Sequence, residues 1–257
     1  MTAADPGLRL AVKDAVATIT IDHPAKRNAM TARMYSDLPP LLAELRDDPH
    51  VRVAVLTGTG DTFCSGADIS ALDDITGEGE DDLPTAAEES LAAFPKPVIA
   101  AIRGNCYGGA CQLAAACDLR IAADDARFAI TPAKLGIIYP VSALARLVRI
   151  AGPSTVKQLV YSADPIDAEH ALRTGLCDEV VAVGRLHDRV DEVARTIAGR
   201  SQFTVRASKD IIDRIGAGAL TDEVVDAWFA RMRASGDLEE GVSAFLDRRT
   251  PDFRWNG

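Results

Sequence analysis

The stretch KPVIAAIRGNCYGGACQLAAACD, residues 96–118, passes from an apolar segment through a glycine turn into an alanine-rich one. Pro97–Ile102 reads as a strand and Gly109–Ala116 as the start of a helix. Strand, turn and helix in that order belong to the α/β class. Gly108 and Gly109 sit where the backbone can approach a ligand closely, and the first turn of the helix carries N–H groups with no partner inside it. Three residues past the second glycine stands Gln112, whose amide neither gives nor takes a proton at neutral pH.

Working outward, the same alternation of strands and helices continues. Ala15–Ile21 is a strand that runs into the turn Asp22-His23-Pro24. Thr31 caps a helix over Ala32–Arg46, which Pro39 and Pro40 are expected to kink or split. Val51–Leu56 is a second strand, residues 87–94 are helical, and Asp118–Ala122 and Arg127–Ile130 are short strands. From Ser142 onward helical periodicity takes over, in Pro153–Tyr161, Asp167–Arg173, Leu186–Ala198, Thr204–Ile215, Leu220–Ala234 and Leu238–Leu246, with a lone late strand at Glu179–Val183. The expected organisation is an α/β body over residues 1–200 and a helical region over 201–257.

Composition narrows the function. A chain of 257 residues buries one good-sized core plus an appendage. It has no apolar run of ~18 residues, and MTAADPGLRL carries acid and proline where a secretory signal has an apolar stretch, so no membrane span and a cytoplasmic address are expected. A formal charge of −10 argues against nucleic acid or an anionic membrane as partner, while a few local cations suffice for a small anionic ligand. Much of the acid lies in Asp73–Asp82, DDITGEGEDD, read as a solvated, mobile loop of the kind that borders binding sites. The five cysteines contain no C-x-x-C, so neither a metal site nor a disulfide framework is expected. Cys64 and Cys111 are the two thiols considered as reactive groups; otherwise cysteine here is a small apolar filler.

Familiar catalytic patterns fail on inspection. Gly58-Thr59-Gly60 lacks the third glycine of a dinucleotide loop, because position 63 is Phe. Ser65-Gly66 is no nucleophile elbow, and His23 before Pro24 is a turn residue rather than a base. What remains is a pair of turns, FCSGAD at 63–68 and GNCYGGA at 104–110, each following a strand. Free backbone N–H groups presented by both at one end of a sheet would converge as an oxyanion hole, with the dipole of the helix from Gly109 adding to it.

The motifs NAM (28–30), FCSGADI (63–69), KPVIAAIRG (96–104), GGACQLAAACD (108–118) and ARFAITPAKLG (126–136) resemble those of the enoyl-CoA hydratase/isomerase family, the crotonase superfamily. SADPIDAEHALRTGLCDEVV (162–181) and EGVSAFLDRR (240–249) extend the resemblance over nearly the whole chain. It implies a spiral of ββα units, a helical C-terminal region that drives assembly into a homotrimer or a dimer of trimers, and acyl-CoA thioesters as substrates. Coenzyme A would come as part of the substrate, with no permanently bound cofactor. Carried over residue by residue, the two oxyanion donors are the N–H groups of Ala67 and Gly109, each worth about 3–4 kcal/mol of transition-state stabilisation. Lys26, Arg27 and Ala29 match the stretch that meets the CoA nucleotide, and Ala67, Asp68, Ile69 and Ala71 lie in the loop on its pantetheine side. Phe245 and Arg248 resemble positions that reach a neighbouring subunit's CoA, and Asp68 a residue that supports its loop.

One departure bears on the reaction. The family's hydratases use two glutamates, and those positions are Gln112 and Pro132 here; a carboxylate used by other members falls at Pro140. A positioned acid or base contributes about 10²–10⁴-fold, so hydration loses its ordinary machinery. Decarboxylation of an α-carboxyacyl-CoA needs the oxyanion hole and no base. The family includes methylmalonyl-CoA decarboxylases, and FAITPAKLGIIY (128–139) and the C-terminal EGVSAFLDRR are similar to theirs. Those enzymes can carry histidine at the place of Ala67 and an acid at that of Gln112, which this chain lacks. The expected activity is a decarboxylase-like lyase on a malonyl- or methylmalonyl-type CoA, with Tyr139 orienting the carboxylate or guiding reprotonation and Gln112 orienting substrate or water. A slow or specialised enoyl-CoA hydratase and a non-catalytic acyl-CoA-binding protein are the alternatives.

Overall fold

A computed structural model describes residues 5–71, 75 and 82–257. Among the described residues, nine strands form two sheets. The larger contains β1 (Gly7–Lys13), β2 (Val16–Asp22), β3 (Val53–Gly58), β4 (Val98–Ile102), β6 (Leu119–Ala123) and β9 (Glu179–Val181), in the order β1-β2-β3-β4-β6-β9. Only the β1–β2 pair is antiparallel in it; β2 through β9 run parallel. The smaller sheet has β5 (Asn105–Tyr107) between no two strands but at an edge, paired with β7 (Arg127–Ala129), which also pairs with β8 (Ile166–Asp167).

Among the described residues the α-helices are α1 (Ala32–Asp47), α2 (Leu83–Ala92), α3 (Gly109–Ala116), α4 (Val141–Ser162), α5 (Ala168–Arg173), α6 (Leu186–Ala198), α7 (Gln202–Ala217), α8 (Asp222–Ala234) and α9 (Asp237–Leu246). Every residue of β4 is buried, because helices cover both faces of the parallel sheet. Val98, Ala100 and Ile102 join the core with α1, α2, α3 and α4, while Ile99 and Ala101 pack with Leu186, Val190, Ala194 and Ala198 of α6. That period of two is the strand's own geometry, and it explains why an uninterrupted apolar run could be read as a strand.

Some boundaries differ from expectation. Helix α1 is not split at Pro39-Pro40 but runs as one element from Ala32 to Asp47. Two missing N–H donors in its interior are tolerated because Met34, Tyr35, Leu38, Leu42 and Leu45 are buried in the main core and Thr31 caps its start. Helix α4 begins at Val141, well before Pro153, and breaks at Gly152, whose φ of 75° is left-handed, so Pro153 opens its second half. Strand β1 was not anticipated. It is an edge strand with mostly exposed side chains, so burial leaves little apolar pattern in its sequence. Of the acidic run 73–82 only Ile75 and Asp82 are among the described residues; the loop reading falls on the others and lies outside them.

The helical region after residue 200 is moored to the body. Lys209 donates to Asp118 at 2.7 Å, and the Arg52 guanidinium donates to the carbonyls of Ala198 and Phe253.

Candidate active site

The two turns are stitched together by their backbones. Phe63 N–H donates to Arg103 O (2.6 Å), Cys64 N–H to Asn105 O (2.9 Å) and Tyr107 N–H to Cys64 O (3.2 Å). On the other side the turn after β3 is bridged to the segment before α1: Met30 N–H donates to Gly66 O and Asp68 N–H to Met30 O, both at 2.8 Å. In this parallel bridge the residue between, Ala67, points its own N–H away from Met30. Neither Ala67 N–H nor Gly109 N–H donates to an acceptor among the described residues. Both residues line the same cavity. A methyl group placed on Gly109 would lie 3.6 Å from Ala67 N and 2.5 Å from the Tyr35 hydroxyl, which is why no larger residue fits there. Gly66 adopts φ of 100°, and a methyl on it would strike Tyr107 O at 2.7 Å.

The free N–H groups open onto a narrow cavity of about 110 Å³. Ile69, Ile75, Leu135, Ile137 and Ile138 make much of its wall. Gln112, Pro132 and Pro140, the positions matched to carboxylates in the resembling family, all line it, and so does Tyr139. No lysine, arginine or histidine does so among the described residues. The single lining carboxylate among them is Asp82, the last residue of the acidic run; it caps α2 by accepting from Thr85 N–H at 2.8 Å.

Behind Gln112 stands a group the sequence reading missed. Glu88 of α2 is wholly buried and accepts from Gln112 Nε2 (2.9 Å), Ser142 Oγ (2.7 Å) and Arg146. Arg146 also holds Glu89 at 3.0 Å. An acid therefore lies one hydrogen bond behind the cavity wall, paired with an arginine. Tyr139 donates its hydroxyl proton to Gly108 O at 2.7 Å, steadying the turn that presents Gly109. Burial above all, with the neighbouring thiols and Glu88 adding to it, pushes the Tyr139 phenol well above its usual range, so it stays protonated.

A family model described as enoyl-CoA hydratase/isomerase matches residues 11–256. The chain belongs to the enoyl-CoA hydratase/isomerase family. A crotonyl-CoA hydratase of Syntrophomonas wolfei is 33% identical over 250 residues, which cover 94% of this chain and 95% of that protein. A crystal structure of an enoyl-CoA hydratase/isomerase family member superposes with a TM-score of 0.92 at 36% identity, covering 98% of this chain and 100% of the other. One from Hyphomonas neptunium gives 0.91 at 34%, covering 99% and 100%. The chain has the crotonase fold, and the helical C-terminal region is part of it.

Within this family member, the residues matched to CoA fall into two groups. Lys26 donates to both carboxylate oxygens of Asp68 (3.0 and 2.7 Å) and to Ser70 Oγ (2.7 Å), bracing the segment 24–29 against the loop after Ala67. The hydrogen bonds from Lys26 and Ser70 hold the Asp68 carboxyl below the usual range. Asp68 thus supports its loop. Arg27 is exposed with φ of 51°, Ala29 is buried, Ile69 lines the cavity, and Ala71 ends the short helix from Ile69. Phe245, 83% exposed on α9, and Arg248 do not line the cavity of their own chain. The Cys64 thiol is pushed up to about 12 by burial, and Cys111 donates to Cys106 O at 2.9 Å, so neither is poised as a nucleophile.

Proposed function

We propose that the protein is an acyl-CoA lyase that runs through a thioester enolate, and that the reaction is decarboxylation of a malonyl- or methylmalonyl-type CoA. The observation that carries this reading is the pairing of two free N–H groups, Ala67 and Gly109, with a cavity wall whose three carboxylate positions are Gln112, Pro132 and Pro140. The bond from the α-carbon to the carboxylate breaks, CO₂ leaves, and the electron pair enters the bond between the α-carbon and the thioester carbon. Negative charge then gathers on the thioester oxygen, where the two N–H groups and the start of α3 stabilise it. The apolar wall strips water from the carboxylate, which favours its loss as neutral CO₂. A proton delivered to the α-carbon completes an acyl-CoA one carbon shorter. Gln112 orients the acyl group; Tyr139 holds the Gly108–Gly109 turn and, on releasing Gly108 O, reaches the carboxylate or the α-carbon. A cavity well below the ~300–1,000 Å³ usual for small-molecule sites suits a short acyl group.

Enoyl-CoA hydration is the second reading. It is favoured by the hydratase similar to this chain and by Asp82, a lining carboxylate able to activate water. A mass-spectrometric panel of malonyl-, methylmalonyl-, ethylmalonyl- and crotonyl-CoA separates the two, since one loses CO₂ and the other gains water. Release of CO₂ from none of the three dicarboxylic thioesters overturns decarboxylation.

The nucleotide end of CoA is assigned to Lys26, Arg27 and Ala29 and its pantetheine arm to the loop Ala67–Ala71. Assembly into a homotrimer, or a dimer of such trimers, is proposed through the helical region, where Ile212, Ile215, Phe229, Phe245 and Leu246 are each at least 60% exposed. Phe245 and Arg248 would then meet a neighbour's CoA. Light scattering at micromolar concentration tests the assembly; a monomer there refutes it.

A further inference from the structure

The mechanism leaves one buried polar atom of the site unused. Tyr35 is 1% exposed, and its hydroxyl has no hydrogen-bond partner among the described residues. Native structures rarely leave such a group orphaned unless something else engages it, and this one lines the acyl cavity. Its place is defined by Gly109: a methyl there would sit 2.5 Å from the Tyr35 hydroxyl and 3.6 Å from Ala67 N. The Tyr35 hydroxyl therefore lies against Gly109, in the same cavity wall as the backbone N–H groups of Ala67 and Gly109.

We infer that Tyr35 is a third, side-chain donor of the oxyanion hole, hydrogen-bonding the thioester oxygen beside the two backbone N–H groups. The inference rests on the acyl-CoA reading of the cavity but not on which reaction follows. Position 35 suits the role. Helix α1 is capped by Thr31 and buried along Met34 and Leu38, so the ring is held rigidly, and its hydroxyl needs no reorganisation to meet the substrate. Burial, with Cys64 and Asp82 adding to it, raises the phenol well above its ordinary range, so it remains a donor throughout the physiological pH span. A buried hydroxyl without a protein partner carries a desolvation cost that a ligand's acceptor would recover.

The test uses the full chain, Tyr35→Phe, and butyryl-CoA labelled with ¹³C at the thioester carbonyl, which neither decarboxylates nor hydrates. In the unaltered protein the bound carbonyl stretch should fall below that of the free thioester. In Tyr35→Phe it should return part of the way, turnover of whichever of malonyl-, methylmalonyl-, ethylmalonyl- or crotonyl-CoA the unaltered protein converts should fall about 10²-fold, as for loss of one donor, and the melting temperature should stay level or rise. An unchanged carbonyl band in Tyr35→Phe overturns the third donor alone. So does a lowered melting temperature with an unchanged band, which marks the hydroxyl as structural. A carbonyl unshifted in the unaltered protein, or no binding of butyryl-CoA, overturns the oxyanion hole itself and this inference with it.

Discussion

The backbone half of the site and its side-chain half have been treated differently. The backbone half consists of Ala67 and Gly109, whose N–H groups are left free by a lattice of hydrogen bonds from Phe63, Cys64, Met30, Asp68 and Tyr107. It depends on glycines and register, and it is intact. The side-chain half consists of Gln112, Pro132, Pro140, Tyr139 and Asp82; among the described residues Asp82 is its one lining carboxylate, and Glu88 stands behind Gln112. The difference teaches that backbone hydrogen bonds set the place of the two N–H groups, whereas the side chains lining the cavity can vary without disturbing it.

The largest effect that would test this division is on Glu88. Arg146→Met leaves Glu88 buried without its cation and should cost about 3–5 kcal/mol, read from urea denaturation. A loss under 1 kcal/mol would mean that Glu88 is not held as a charged group. Next comes Gly109→Ala. The added methyl meets the Tyr35 hydroxyl at 2.5 Å and should cost about 1–3 kcal/mol together with nearly all turnover. In a Tyr35→Phe background the same methyl lies 3.8 Å from the ring carbon that bore the hydroxyl, so the stability cost should largely disappear.

Gln112→Glu addresses the side-chain half directly. A carboxylate there stands 2.9 Å from Glu88 and must share a proton with it, costing about 1–2 kcal/mol with little gain in crotonyl-CoA hydration. The exchange Glu88→Gln with Gln112→Glu removes the repulsion and should raise hydration; equal activity of the single and double variants would place Glu88 outside the network.

The smallest effect concerns Lys26→Ala. Its partner Asp68 has a carboxyl pKa lowered by that lysine, so the pair stabilises above the unfolded-state pKa and the contribution fades as pH falls through the folded one. The variant should lose under about 1 kcal/mol at pH 7, because the lysine is half exposed, and progressively less as pH falls through the folded-state pKa of Asp68. A loss that persists in acid would assign Lys26 a packing role instead.

What could be read from the sequence follows the same division. Strands β3 and β4 and the turns after them were legible because apolar runs and glycines encode backbone geometry locally. The turns gave a pair of free N–H donors, and the resemblance to the family assigned them to Ala67 and Gly109. Glu88 was not, since an acid in Ala-Glu-Glu-Ser looks solvated until α2 packs against α3 and buries it. Tyr35 was hidden for the opposite reason: on the apolar face of α1 it reads as core, and only the fold brings its hydroxyl to Gly109. Pro39-Pro40 misled because local propensity argues for a break that tertiary burial overrides.

The Glu88–Gln112 pair also constrains the order in which this protein could change its chemistry over generations. Acquiring Glu at 112 first passes through two carboxylates in one buried site. Losing the acid at 88 first passes through two amides, and Arg146 keeps Glu89 as a partner on the way. The second route has the lower barrier, so descendants that regain a lining glutamate at 112 should carry a neutral residue at 88.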